Sequence, residues 1–255
     1  MPTEAELADP FRENERLKRA LEECSAAQQA AQAEAERAVK ELQDFVYAAS
    51  HDLQEPLRAV SAYAQLLQRK HAEDAETNEF IGFVIRGAQQ ATSLLQALLA
   101  YSRSGSSPHR RMANLGAIAQ SALFKLNARV RESEARISFG ELPDAPVDQT
   151  QIAQVFEQLV TNAIAYRSEE APVIEISAQE GADAFVVSVS DNGKGIEARF
   201  HEQVFLPFKR LHGKEVAGTG LGLAVCRKII AAHGGRIWVE SDGEHGSTFK
   251  FTLPY

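Results

Sequence analysis

Two cysteines in 255 residues, Cys24 and Cys226, lie in separate helical patterns and form no metal-ligand spacing, so reduced structural thiols are expected. The chain also lacks a basic surplus. Its 27 Lys and Arg stand against 35 Asp and Glu, a net charge of −8, which argues against a general nucleic-acid binder because that function relies on clustered cations. No apolar run approaches the roughly 18 residues that span a bilayer. The first residues, Met-Pro-Thr-Glu-Ala-Glu, hold no basic region followed by an apolar core. A cytoplasmic protein without a membrane span is expected. Also missing are an internal repeat, a Gly-x-Gly-x-x-Gly opening a βαβ unit and a Gly-Lys-Ser/Thr, which removes the Rossmann and P-loop readings.

What is present is a pair of glycine boxes. Asp191-Asn-Gly193-Lys-Gly195-Ile196 is followed by Gly218-Thr219-Gly220-Leu221-Gly222-Leu223. Glycine lets a backbone approach a ligand that a Cβ would repel, and the second box runs into an apolar-periodic stretch, Leu223 to Ala232, that reads as a helix. A glycine-rich turn is as often structural as functional, so context decides between the two. Asp191 ends a strand-like run from Ala184 to Ser190, where its carboxylate can accept a hydrogen bond from an adenine amino group. Upstream, Val155 to Tyr166 reads as a helix carrying Asn162, whose amide oxygen suits Mg²⁺, a cation that prefers hard oxygen ligands shared with phosphates.

The first hundred residues are helical in pattern. Asp9-Pro10 reads as a helix start. Leu7, Asn14, Leu21, Gln28, Ala35 and Leu42 then recur every seven residues, with Leu17, Cys24, Ala31, Ala38 and Phe45 three behind them. Its Ala/Gln middle describes a weak coiled coil or, alternatively, one solvated helix. The seam continues through Val46, Ala49, Leu53, Val60 and Leu67, and a second helix carries Phe80, Val84, Gly87, Ala91, Leu94, Leu98 and Tyr101. A polar connection from Lys70 to Thr77 makes this a helical hairpin. A lone hairpin leaves that stripe wet, so a dimeric four-helix bundle is expected. Arg103 to Arg111 has hinge composition. Beyond it, helical patterns (Leu115 to Val130, Gln149 to Tyr166, Gly220 to His233) mix with strand patterns (Arg136 to Phe139, Val173 to Ala178, Ala184 to Ser190, Arg236 to Glu240, Thr248 to Leu253). Helices layered on a mixed sheet are expected. The resulting division is an N-terminal coiled-coil helix (1–40), a hairpin (41–104), a hinge (105–113) and an α/β domain (114–255).

His51 lies two residues from both Ala49 and Leu53, about 200° around the helix from each, so it is expected to face away from the seam. Asp52 beside it can hydrogen-bond one ring nitrogen, leaving the other as a nucleophile. Pro56 removes the N–H that would bond the Asp52 carbonyl, so a kink is expected one turn on. The bland reading is an ordinary surface histidine, which the other six receive.

Ala48-Ala-Ser-His-Asp-Leu-Gln-Glu-Pro-Leu-Arg58, Asn162-Ala-Ile-Ala-Tyr-Arg167, the glycine boxes, Phe205-Leu-Pro-Phe208 and Gly246-Ser-Thr-Phe249 together resemble a two-component sensor histidine kinase of the phytochrome-attached type. The resemblance covers about residues 40 to 255. It implies a dimerisation and histidine-phosphotransfer hairpin followed by a Bergerat-type ATP-binding domain, an α/β sandwich with a mixed sheet. It implies that His51 attacks the γ-phosphate of Mg²⁺–ATP with Asp52 as orienter and proton acceptor, that Asn162 holds Mg²⁺ and that Asp191 recognises adenine. Gly193 and Gly195 would let the chain pass close to the base. Gly218, Gly220 and Gly222 would hinge a lid, with Phe205 and Phe208 as its anchors. Tyr166, Arg167, Ile196, Lys209, Arg210, Thr219, Leu221 and Thr248 complete the implied nucleotide contacts, and Lys214 lies in the presumed lid. The implied partners are a second copy of the chain, the receiver domain of a separate response regulator, and an upstream sensor acting through the N-terminal helix.

Three positions depart from the family pattern. Gln158 replaces the usual Asn four residues before the Mg²⁺ ligand, and related hydrolytic ATPases carry a catalytic Glu there. Ala165 replaces a common Lys that holds phosphates, unless Arg167 substitutes. Glu55 replaces the Thr or Asn of members that also dephosphorylate their partner. Gln158 and Ala165 make a phosphotransfer or scaffold dimer with a degenerate ATP domain the alternative to an active kinase, and a hydrolytic ATPase ranks below both because it lacks the base.

Overall fold

A computed structural model describes residues 10–70, 74–104, 107–211 and 218–255. The expectations on Leu7, Asp9 and Lys214 lie outside the described residues, as do those on the side chain of His51. The chain divides between Asp52 and Leu53 into two compact units.

Helix α1, Pro10–Lys70, contains both His51 and Asp52 and continues through Pro56. In the first unit Leu17 and Leu21, members of the heptad seam, are exposed. In the second unit α2, Ala75–Arg103, begins at Asp74, whose carboxylate accepts Thr77 N–H at 3.2 Å and Thr77 Oγ1–H at 2.5 Å. Such a cap is worth about 1 kcal/mol. Ala64, Ile81 and Ala88 are buried, whereas Val60, Tyr63, Leu66 and Leu67 of α1 and Phe80, Phe83 and Val84 of α2 are 45% to 69% exposed. The apolar stripe of this hairpin is therefore left uncovered by its own chain.

The α/β part begins with β1, Arg111–Asn114, which pairs antiparallel with β3, Asp144–Val147. Both escaped the sequence reading: each has four residues, and Pro146 argues against a strand unless it lies in an edge ribbon. Arg111 to Ala113, read as hinge, thus belong to a strand. The single helix expected from Leu115 to Val130 is two, α3 (Leu115–Lys125) and α4 (Asn127–Glu132). At Leu126 the backbone leaves helical geometry (φ −90°, ψ 2°) and its N–H bonds Leu123 O at 3.0 Å, while its side chain packs on the core. The main sheet comprises β2 (Arg136–Phe139), β4 (Val173–Glu180), β5 (Ala184–Asp191), β6 (Ile237–Glu240) and β7 (Ser247–Pro254), in the order β2-β4-β5-β7-β6. β2 and β4 are parallel and the remaining pairs antiparallel.

Helix α5, Gln149–Ala165, starts where Asp148 accepts the N–H groups of Thr150 and Gln151. Its spacing buries Ile152, Val155, Phe156, Leu159, Val160 and Ala163. Phe156 meets Phe251 of β7 edge-on at 6.0 Å. Helix α6, Gly222–Ala232, packs beside α5 through Val225, Cys226, Ile229 and Ile230. Along β7 the alternation is strict: Ser247, Phe249, Phe251 and Leu253 are buried, and the residues between them are half-buried. Lys228 of α6 donates to Tyr101 O at 3.0 Å and Ser102 O at 3.3 Å, so a cation caps the carbonyl end of α2. Burial lowers the Lys228 pKa.

His233, 1% exposed, uses both ring nitrogens: Nδ1 lies 2.9 Å from Ile229 O, and Nε2 accepts Asp148 N–H at 3.1 Å. This bonding is that of the neutral imidazole with its proton on Nδ1. Burial pushes its pKa below 6.5, with nearby Arg110 adding to the shift and the Ile229 carbonyl and Asp148 opposing it. A depressed value means the stabilisation holds above pH 6.5 and is lost as pH falls through the folded pKa. The His233 ring signals, followed by NMR, should titrate below pH 6.5, and unfolding midpoints should fall over the same interval. Titration at or above 6.5 would contradict the buried neutral assignment.

Candidate functional site

The centre of the site is the carboxylate of Asp191 at the end of β5. Its Oδ1 accepts Gly193 N–H at 2.8 Å and Ser247 N–H at 3.2 Å, the latter from the residue facing it across the β5–β7 ladder. Burial raises its pKa above 3.8, and these two N–H groups oppose the shift. Desolvation therefore outweighs the hydrogen bonds. Asp191 lines a cavity together with Ile196, Val204, Leu211, Leu223 and Phe249, with Asn162, Tyr166, Lys194, Gly195, Lys209, Arg210 and Ser247 completing it. A largely apolar cavity with one half-buried carboxylate in its lining suits a flat heterocycle with an exocyclic amino group.

A broader cleft adjoins this cavity and shares Asn162, Tyr166, Lys209 and Arg210 with it. Gly218, Thr219, Gly220 and Gly222 line that cleft, together with Gln158, Thr161 and Ala165 of α5, and Lys125 and Arg129 from the α3–α4 corner. The Asn162 carboxamide makes no hydrogen bond among the described residues, so its oxygen is available to a ligand. No cluster of three His, Cys, Asp or Glu side chains is placed to hold a metal among the described residues.

Several site expectations change. A Cβ at Gly193 would sit 2.7 Å from Tyr166 O, and one at Gly195, which has φ +75°, 2.6 Å from Glu244 N. Neighbouring protein backbone is enough to require those glycines. Thr248 does not line the cavity: strand alternation turns it to the opposite face, where its hydroxyl meets Ser190 Oγ at 2.9 Å. Its neighbours Ser247 and Phe249, missed in the sequence reading, take the cavity side, and the period-2 rule applied to Gly246-Ser-Thr-Phe249 was the available signal. Arg167 reaches away, its Nη1 donating to Ser133 O at 3.4 Å, so it does not replace the cation missing at Ala165. Leu221 is 1% exposed and is a packing residue. Phe205 and Phe208 are not a helical pair: Phe205 is buried edge-on against Phe249 at 6.2 Å, whereas Phe208 is exposed at φ +61° and tied by its N–H to Gly220 O. Ile196 lines the cavity, its N–H held by Ser241 Oγ at 2.9 Å. His51 lies within α1, with exposed Asp52 next to it.

Two family models match. Residues 41–107 match the His Kinase A (phospho-acceptor) domain, and residues 147–255 match the histidine kinase-, DNA gyrase B-, and HSP90-like ATPase family. Among curated relatives, cyanobacterial phytochrome A of a Nostoc strain is 44% identical over 86% of this chain, and the phytochrome-like protein Cph1 of a Synechocystis strain is 40% identical over the same share. Among solved structures, the catalytic domain of histidine kinase ThkA is 32% identical, with a TM-score of 0.50, over 57% of this chain and 95% of that one. This chain belongs to the sensor histidine kinases.

As a histidine kinase module it spans only 29% and 30% of the length of the two phytochromes. Full-length ShkA, solved in complex with AMPPNP, shares the fold over 83% of this chain and 45% of its own, with a TM-score of 0.65 at 22% identity. No helix of the described residues is long and apolar enough to cross a membrane.

The raised pKa of Asp191 has a measurable consequence. A carboxyl with a raised folded pKa contributes stability that is present below its unfolded value and lost as pH rises through the folded one. Asp191→Asn, which keeps an acceptor for both N–H groups, should therefore unfold at an equal or higher temperature than wild type at pH 7. That advantage should vanish near pH 3.8 and below. A large loss of stability at pH 7 would show that the ionised form is favoured.

Proposed function

We propose that this module is an ATP-dependent protein-histidine kinase that phosphorylates its own His51 and passes the phosphoryl group to an aspartate of a separate response regulator. The observation that carries this reading is the pairing, in one chain, of the Asp191 cavity with a phospho-acceptor domain match that includes His51. In it, adenine enters the apolar slot and its amino group donates to Asp191, while Ile196, Leu223 and Phe249 exclude water from the ring. Tyr166, Lys194, Lys209 and Arg210 border the ligand, and the phosphates extend past Asn162 into the cleft lined by Gly218 to Gly222. Mg²⁺, when bound, neutralises the developing charge on the phosphate oxygens, with Asn162 as its protein ligand. The sparse donor set fits that ion, which keeps several waters and relies on substrate phosphates.

In the transfer itself a ring nitrogen of His51 bonds to the γ-phosphorus, the bond to the β–γ bridging oxygen breaks, ADP leaves, and Asp52 receives the imidazole proton. Catalysis is then positioning and charge stabilisation. The phosphoryl group moves next to a carboxylate of the partner. Histidine kinase ThkA has been solved in complex with the response regulator protein TrrA and is 26% identical over 83% of this chain, which supports that partner class. Gln158 cannot act as a base for water, which favours transfer over hydrolysis. The domain division at 1–40, 41–104, 105–113 and 114–255 belongs to this reading, as do an upstream sensor acting through the N-terminal helix and a cytoplasmic location.

The uncovered hairpin stripe supports a homodimer, with two hairpins closing a four-helix bundle. Phe83→Asp should convert the dimer to a monomer in light scattering while leaving the unfolding transition of the α/β part in place. A monomeric wild type would refute the bundle.

Incubation with γ-labelled ATP should give acid-labile label on the intact chain and none on His51→Gln. Label that survives the substitution would remove His51 from its role. No label on either, with normal folding, would point to a phosphotransfer dimer whose nucleotide domain is inactive.

A further inference from the structure

A polyphosphate in the second cleft needs cations, and α5, which forms one wall, supplies none. Glu157, Thr161 and Ala165 lie four residues apart on one face of α5, and all three line the cleft. That stripe offers an anion, a hydroxyl and a methyl group. Two cations near it are already engaged: Lys125 binds Glu157 Oε1 at 2.5 Å, and Arg167 donates to Ser133 O.

Those two contacts fix how the α3–α4 corner lies against α5. Lys125, the last residue of α3, sits opposite Glu157, and Ser133, the cap of α4, sits opposite Arg167 just past the end of α5. Glu157 and Arg167 are ten residues apart, which is about 15 Å at helical rise. Arg129 is midway between Lys125 and Ser133 in sequence and one turn before Ser133, whose N–H and Oγ–H both bond the Arg129 carbonyl. Arg129 lines the same cleft as Thr161, Asn162 and Ala165 of α5. It is exposed, and its side chain makes no hydrogen bond or ion pair among the described residues. Arg86 also borders the cleft, but its guanidinium stacks on Phe83 at 4.7 Å.

We propose that Arg129 is the phosphate-binding cation of this wall, reaching from α4 across the stripe to the charged end of the nucleotide beside Asn162. The inference rests on the nucleotide reading above. A guanidinium fork pairs two phosphate oxygens at once, a geometry that a methyl group at Ala165 leaves room for. Because the charge comes from α4 and the Asn162 amide from α5, phosphate binding depends on the α3–α4 corner keeping its place on α5.

The test is a calorimetric titration of the full chain with Mg²⁺–ATP and, separately, with adenosine. Arg129→Gln should weaken ATP binding about tenfold, the loss of one charge-assisted hydrogen-bonding group, and leave adenosine binding and the unfolding temperature unchanged. Adding Ala165→Lys to that variant should recover most of the affinity by restoring a cation on the same wall, and the salt dependence of binding should flatten in Arg129→Gln and return in the double variant. Wild-type ATP affinity in Arg129→Gln, or equal losses for ATP and adenosine, would overturn the proposal while leaving the kinase reading intact. Absence of ATP binding by the wild type would instead overturn both.

Discussion

The Asp191 carboxylate, held by two backbone N–H groups from different segments, is the constraint around which the site is arranged. Gly193 comes from the turn that follows β5, and Ser247 opens β7, so one oxygen ties a strand end, a glycine turn and the neighbouring strand together. The turn is further fixed because Lys194 N–H bonds Tyr166 O at 3.1 Å and Gly246 N–H bonds Gly193 O at 2.8 Å. These contacts bring the end of α5 to the same place. Burial penalises the charge more than the two N–H groups relieve it. A buried acidic group whose charge is disfavoured has physical logic when a hydrogen-bond donor is to be selected in a dry slot.

The glycines acquire a different meaning against that arrangement. At Gly193 and Gly195 the space a Cβ would need is filled by Tyr166, Asp191 and the backbone at Glu244. A Cβ at Gly222 would collide with the Gln158 carboxamide. Among these, and counting the described residues alone, Gly218 has nothing within 4 Å of where a Cβ would stand. Most of the two boxes thus lets protein segments approach one another, and the cavity is what that close approach leaves between them.

What was legible in the sequence follows the strength of periodicity. Helix α5 and strands β2 and β5 were placed to within a residue or so, because each carries an uninterrupted pattern bounded by a cap or a turn. The ribbon of β1 and β3 was not, since four residues are too few to establish alternation and Pro146 spoke against a strand. The break at Leu126 was hidden because its side chain continues the apolar pattern while its backbone does not. In the site, Asp191 and Asn162 were accessible through element ends and helix context. Thr248 was misplaced by one residue, which on a strand is the difference between two faces. Arg129 had no local signal, because its relation to α5 arises from Lys125–Glu157 and Arg167–Ser133, contacts between residues more than thirty positions apart.

The same non-local logic bears on Gln158, the position where the chain departs from the family's usual Asn. Read alone, the extra methylene threatens the geometry around Asn162 one turn away. In the fold that longer side chain is directed at Gly222, the first residue of α6, and fits because the glycine has no Cβ. Positions 158 and 222 therefore form one steric unit joining α5 to the start of α6. The departure at one is accommodated by the smallest possible residue at the other, and Asn162, projecting into both cavities, keeps its carboxamide clear for a ligand. Any larger residue at 222 would have to displace the carboxamide of Gln158, which lines the same cleft as Asn162. The second glycine box is thus coupled to the chemistry through a side chain on another helix as well as through its own backbone.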